Sequence, residues 1–141
     1  METIIMAENV KKSFQKHMVL DQLKLRVEKG ELLAIVGASG CGKSTLLNIL
    51  GLLDRQDEGD IVLFGKKNVR PFSRQAQLLL KEKIGYLFQN YALLEDKSIA
   101  YNLEIVFSAR MKREAKRQRI AEALEAVGLK GMEKKKVCQC S

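Results

Sequence analysis

Apolar and polar positions along this chain change period several times, and each change marks an element. Ile4 to Val10 reads as a first strand, and Leu23-Lys-Leu-Arg-Val-Glu28 alternates apolar and charged residues with the period of two of a half-exposed strand. Lys29-Gly30 turns the chain into Leu32-Leu-Ala-Ile-Val36, a continuous apolar run of the kind found in a parallel strand buried on both faces. Thr45 to Leu52 has helical spacing, and Asp54 to Gly59 is a polar connection. Ile61-Val-Leu-Phe64 before Gly65 is a short strand with its turn. Pro71 and Ser73 introduce a helix through Leu78, Leu79 and Leu80, with Ser73 as its N-cap. Ile84-Gly-Tyr-Leu-Phe88 is strand-like, and from Ser98 onward the pattern is helical. Ile120, Leu124 and Val127 fall on one face, and Gly128 stops that helix.

These elements predict an α/β fold in which a small antiparallel layer leans on an α/β core. Between the run at 32–36 and the helix beyond it lies Gly37-Ala-Ser-Gly-Cys-Gly-Lys43-Ser44, which matches G-x-x-x-x-G-K-[ST] with both required flanks. Gly37, Gly40 and Gly42 open backbone conformations that let successive N–H groups point at one anion, and the start of the helix adds its unpaired N–H groups and dipole. Lys43 would place a point charge on the β- and γ-phosphates, and the Ser44 hydroxyl would complete the shell of a magnesium ion that keeps most of its waters. The expected ligand is a nucleoside triphosphate with Mg²⁺.

Composition narrows the picture further. With 141 residues, 46% of them hydrophobic, the chain can form a real core, and its formal charge of +8 favours polyanions without choosing among them. The segment 110–119 carries six basic residues against one acidic one and could touch phosphate backbones or lipid head groups, but it lacks aromatic residues for stacking, which favours the wet face of an amphipathic helix. No long apolar run or secretion leader is visible, which predicts a cytosolic protein or one on the cytosolic side of a membrane. Cys41, Cys138 and Cys140 are an odd set with no disulfide framework or zinc spacing. Cys41, among phosphate-binding amides, is expected to be reactive, and an alkylation rate that nucleotide leaves unchanged would contradict that.

Several blocks in order resemble one family: Asn9-Val-Lys-Lys-Ser-Phe14, Gly30-Glu31, the loop at 37–44 with Thr45-Leu-Leu47, Leu53-Asp54, Asp57-Glu-Gly59 and Ile84-Gly-Tyr-Leu-Phe-Gln89. They are similar to the ATP-binding cassette domain of ABC transporters, in particular the lipoprotein-release and macrolide or bacteriocin export branch. The resemblance implies a P-loop NTPase core with the start of a helical subdomain. Residues 1–93 would be the β layer and Walker A core, and 94–141 the helical subdomain that meets a transmembrane partner. It implies ATP held by Gly37, Ala38, Ser39, Gly40, Cys41, Gly42, Lys43, Ser44 and Thr45. Phe14 would stack on adenine, with Val19 beside the base. Gln89 and Ser44 would reach Mg²⁺, Gln89 also contacting the attacking water. Cys41 stands where the family often has Ser, at a position that contributes backbone. The family works as a homodimer on the inner face of the cell membrane with a transmembrane subunit, and without nucleic acid.

The family's pattern is incomplete here. Lys136-Val-Cys-Gln-Cys-Ser141 resembles the approach to the signature Leu-Ser-Gly-Gly-Glu-Gln, with Cys140 and Ser141 at its first two positions and no glycine pair after them. An aspartate and glutamate closing a very apolar strand, the Walker B pair with its catalytic base, are absent, as is a later switch histidine. Asp57-Glu58 and Glu95-Asp96 do not fit, and His17, upstream of the loop, is expected to be exposed. The sheet would lack C-terminal strands between the runs at 32–36 and 84–88, leaving unpaired edges and exposed apolar faces. The chain is therefore expected to be a fragment or truncated product of a transport ATPase that binds Mg-nucleotide weakly if at all and does not hydrolyse it detectably alone. The alternative is a non-catalytic nucleotide- or partner-binding fragment.

Overall fold

The computed structural model describes residues 2–140, which form two compact units divided between Tyr86 and Leu87. The first is built on a long antiparallel hairpin of β1 (Thr3–Phe14) and β2 (His17–Glu28). Gln15 and Lys16 both take left-handed φ, 46° and 71°, so two residues suffice to reverse the chain between the paired ends Phe14 and His17. β3 (Glu58–Leu63) pairs with the other edge of β1, and β4 (Lys66–Lys67) follows it, giving the antiparallel order β2-β1-β3-β4. His17, expected to be exposed, is exposed as the first residue of β2.

One face of this sheet is apolar. Ala7, Val10, Leu20, Ile61 and Leu63 turn inward, and α1 (Lys43–Leu50) lays Leu46, Ile49 and Leu50 against them. The helix begins two residues earlier than the apolar pattern suggests and stops at Leu50; Leu52 has a left-handed φ of 59°, which no helix continues through. α2 (Arg74–Glu82) starts at the expected cap, the Ser73 Oγ accepting from the Ala76 amide at 3.2 Å, and adds Ala76 and Leu79 to the same core.

The expectation of a strand buried on both faces at 32–36 is not met. The segment has no regular secondary structure and pairs with no strand among the described residues; Leu32 is 98% and Val36 87% exposed, and only Ile35 packs against the core. A parallel strand needs neighbours on both edges and a covering layer on both faces. Without them the apolar run is left in solvent, the exposure that the missing sheet partners predict. The expected strand at 84–88 is likewise not formed as regular secondary structure: Ile84 packs on the core of the first unit, while Leu87, at the start of the second, is 82% exposed.

The second unit contains α3 (Ile99–Glu104), α4 (Arg113–Ala126) and a 3₁₀ turn at Val137–Gln139. Ser98 caps α3, and the buried Asn102 amide bridges Leu94 and Ser98 through three hydrogen bonds. Backbone hydrogen bonds from Ala100 to Glu133 and from Val137 to Lys97 tie the start of this unit to its end. Ile120 and Leu124 are buried, but Val127 is 67% exposed, because α4 ends at Ala126 and Val127 already belongs to the cap. Gly128, at φ 74°, closes the helix as expected. Ser141 lies outside the described residues. Among those described, no helix is long and apolar enough to cross a membrane.

Candidate functional site

The glycine-rich loop leaves the apolar run at 36 and enters α1 at 43. Gly42 is the N-cap of that helix, at φ 95°. A Cβ there would lie 2.9 Å from both Cγ1 and the carbonyl oxygen of Val19, and 3.0 Å from Leu20 Cδ2. The second strand of the hairpin thus presses directly on the start of the helix, and only glycine fits between them. The first N–H groups of α1 have no acceptor within the helix, no side chain caps them, and no acidic residue stands in the first turn. This end of the helix presents donors and positive dipole without a built-in anion.

Lys43 supplies the charge. Its Nζ donates to the carbonyl oxygens of Gly37 at 2.8 Å and Ala38 at 2.6 Å and lies 3.7 Å from Cys41 Sγ, so the ammonium folds back across the loop. Phosphate oxygens are stronger acceptors for a cation than neutral carbonyls, so an arriving phosphate can compete for this ammonium. Ser39, Cys41 and Ser44 are exposed and Thr45 is half-buried. The residues at 37–45 therefore fit a triphosphate: amides and one ammonium for its oxygens, and the Ser44 hydroxyl as a hard ligand for its magnesium. No cluster of three His, Cys, Asp or Glu side chains suited to a metal occurs among the described residues, so a magnesium ion here would depend on phosphate oxygens and water for most of its shell.

The structure brings Val19 against the loop, as described, and puts Phe14, 47% exposed, at the tip of the same hairpin. Gln89 belongs to the second unit, where it is exposed at the turn following 84–88.

The pattern gave no warning of the charge cluster beneath Phe14. Lys12 is buried, and its Nζ donates to Asp54 Oδ1 at 2.9 Å and to the Arg55 carbonyl at 2.6 Å, with Asp57 Oδ1 at 3.7 Å. Burial pushes the Asp54 carboxyl up, but the hydrogen bond from Lys12, the Arg55 amide and the Lys12 charge together outweigh it and hold the group below its ordinary value. Asp57 also accepts from the Ser13 amide at 2.7 Å, and Glu58 pairs with Lys11 at 2.8 Å. In the second unit Asp96 pairs with Lys97 at 3.0 Å. A lysine two residues after Val10, at an inward position of β1, marks a buried charge, but nothing in the local pattern names its partners.

The family model described as ABC transporter matches residues 20–141. The macrolide export ATP-binding/permease protein MacB of Escherichia coli is 39% identical over 128 residues, 90% of this chain and 20% of that protein. The "Probable amino-acid import ATP-binding protein YxeO" of Bacillus subtilis (strain 168) is 40% identical over 129 residues, 89% of this chain and 52% of its own length. Among solved structures, a dimeric post-hydrolysis state of the ATP-binding cassette MJ0796, bound to ADP and Pi, superposes with a TM-score of 0.82 at 29% identity, covering 97% of this chain and 63% of that one. The chain thus spans between a fifth and two thirds of the length of these proteins.

Proposed function

Because this chain belongs to the ABC transporter family, we propose that its loop at 37–45 binds the triphosphate of Mg-ATP and that it is part of an ATP-binding subunit driving an exporter. The observation that carries this reading is the buried Gly42 cap, which opens a helix start that no side chain caps, with the Lys43 ammonium folded back across the same loop. Ser44 and Gln89 are the proposed magnesium contacts, Phe14 the surface for adenine, and Val19 its apolar neighbour. The second unit would dock on a transmembrane subunit at the inner face of the membrane. A second copy would complete the ATP site, in keeping with the dimeric cassette this chain resembles. Similarity to an import subunit at the same level of identity means that direction is not set by this stretch; export rests on the likeness to the macrolide exporter.

A titration with Mg-ATP tests the core of the proposal. Lys43→Ala removes charge-assisted hydrogen bonds worth about 1.5–3 kcal/mol, so affinity should fall roughly tenfold to a hundredfold. Equal binding by both proteins, or none even by a version extended toward the length of its relatives, would remove the assignment.

One observation favours a second reading, nucleotide or partner binding without turnover: the carboxylates of Asp57, Glu58 and Asp96 are each engaged with a backbone amide or a lysine. None of them is positioned here as a base for water. Phosphate release from ATP by the 141-residue polypeptide is expected to stay at background. Steady release that disappears in Lys43→Ala would overturn this second reading.

A further inference from the structure

The ammonium of Lys12 also touches the ring proposed to take the base. Lys12 and Phe14 are two residues apart on β1 and so share a face of the strand, with the Lys12 Nζ 5.1 Å from the Phe14 ring centroid. Lys12 itself is 8% exposed, an unusual degree of burial for a lysine, and is retained there by Asp54 and the Arg55 carbonyl. The connection at 54–57 is stitched along the same strand, the Asp57 amide donating to the Lys11 carbonyl at 2.9 Å while Asp57 Oδ2 receives the Ser13 amide. Phe14 is the last residue before a two-residue turn and would otherwise be free to swing with it.

We propose that Lys12, anchored by Asp54, is a positioning residue for the nucleobase, holding the Phe14 ring by one face so that it is presented for stacking. The inference rests on the reading of Phe14 as the base-stacking side chain. A cation over an aromatic face is attracted by the ring quadrupole, and this attraction strengthens as the cation is desolvated. The charge therefore fixes the ring without filling the base site.

The test separates base from phosphate by using two magnesium-loaded probes, 2-aminopurine riboside triphosphate and inorganic tripolyphosphate. Stacking on Phe14 should quench the fluorescence of the first. Lys12→Met should reduce that quenching and weaken the fluorescent nucleotide roughly three- to tenfold, the scale of a lost cation–π hold. Tripolyphosphate affinity should not change. Lys12→Arg, which keeps the charge and can lie on the ring, should restore both readouts. Lys12→Met strands the Asp54 carboxylate and can cost folding, so Lys12→Met with Asp54→Asn is measured beside it, each with a melting curve. Equal loss for both probes, or unchanged quenching in a folded variant, would overturn the proposal. A failure of the reading beneath it looks different: Phe14→Leu would leave the quenching of the native chain intact, or Lys43→Ala would leave tripolyphosphate binding intact.

Discussion

Gly42 shows how much of the site depends on one missing β-carbon. Its φ of 95° alone would cost another residue about 1–3 kcal/mol. Val19 adds a steric block that Gly40, at φ 80° with open space around it, does not face. Gly40→Ala and Gly42→Ala should therefore both lower the melting temperature, and Gly42→Ala by clearly more. Equal losses would mean that the hairpin does not bear on the cap as argued. The sequence motif made Gly42 legible because glycine, lysine and hydroxyl spacing is dictated by the phosphate. Lys12 was illegible for the opposite reason: its partners Asp54 and Asp57 are more than forty positions away, and no local period encodes a contact that distant.

At the level of elements, the hairpin and the connection at 54–57 act together, and their joint is electrostatic. Asp54 is held below its ordinary value in the folded chain, so its contribution to stability is complete above the unfolded carboxyl value of about 3.9 and is lost as pH falls through the lower folded one. Melting temperature should decline as pH falls below the unfolded carboxyl value, and Asp54→Asn should flatten part of that decline while lowering stability near neutrality. An unchanged acid limb in the variant would argue against the joint. Elements whose periodicity is satisfied locally were readable in advance: the strands of the hairpin, β3 before its glycine turn, and α2 behind Ser73. The runs at 32–36 and 84–88 were misread as formed strands because their apolar character specifies what they require from neighbours, and sequence pattern alone cannot supply those neighbours.

For the whole molecule, the net charge of +8 and the exposed apolar run at 32–36 pull in opposite directions. Like charge keeps copies apart in dilute buffer, whereas an exposed apolar segment that joins no sheet among the described residues is a template on which another chain can pair. Electrolyte weakens only the first effect, since its screening length shrinks to about 8 Å near physiological ionic strength. Light scattering should therefore rise with added sodium chloride, and Leu32→Lys should suppress the rise; scattering indifferent to both would show that the segment is not sticky. Solubility of this polypeptide then becomes a matter of ionic strength, with an exposed apolar segment immediately upstream of the residues proposed to hold ATP.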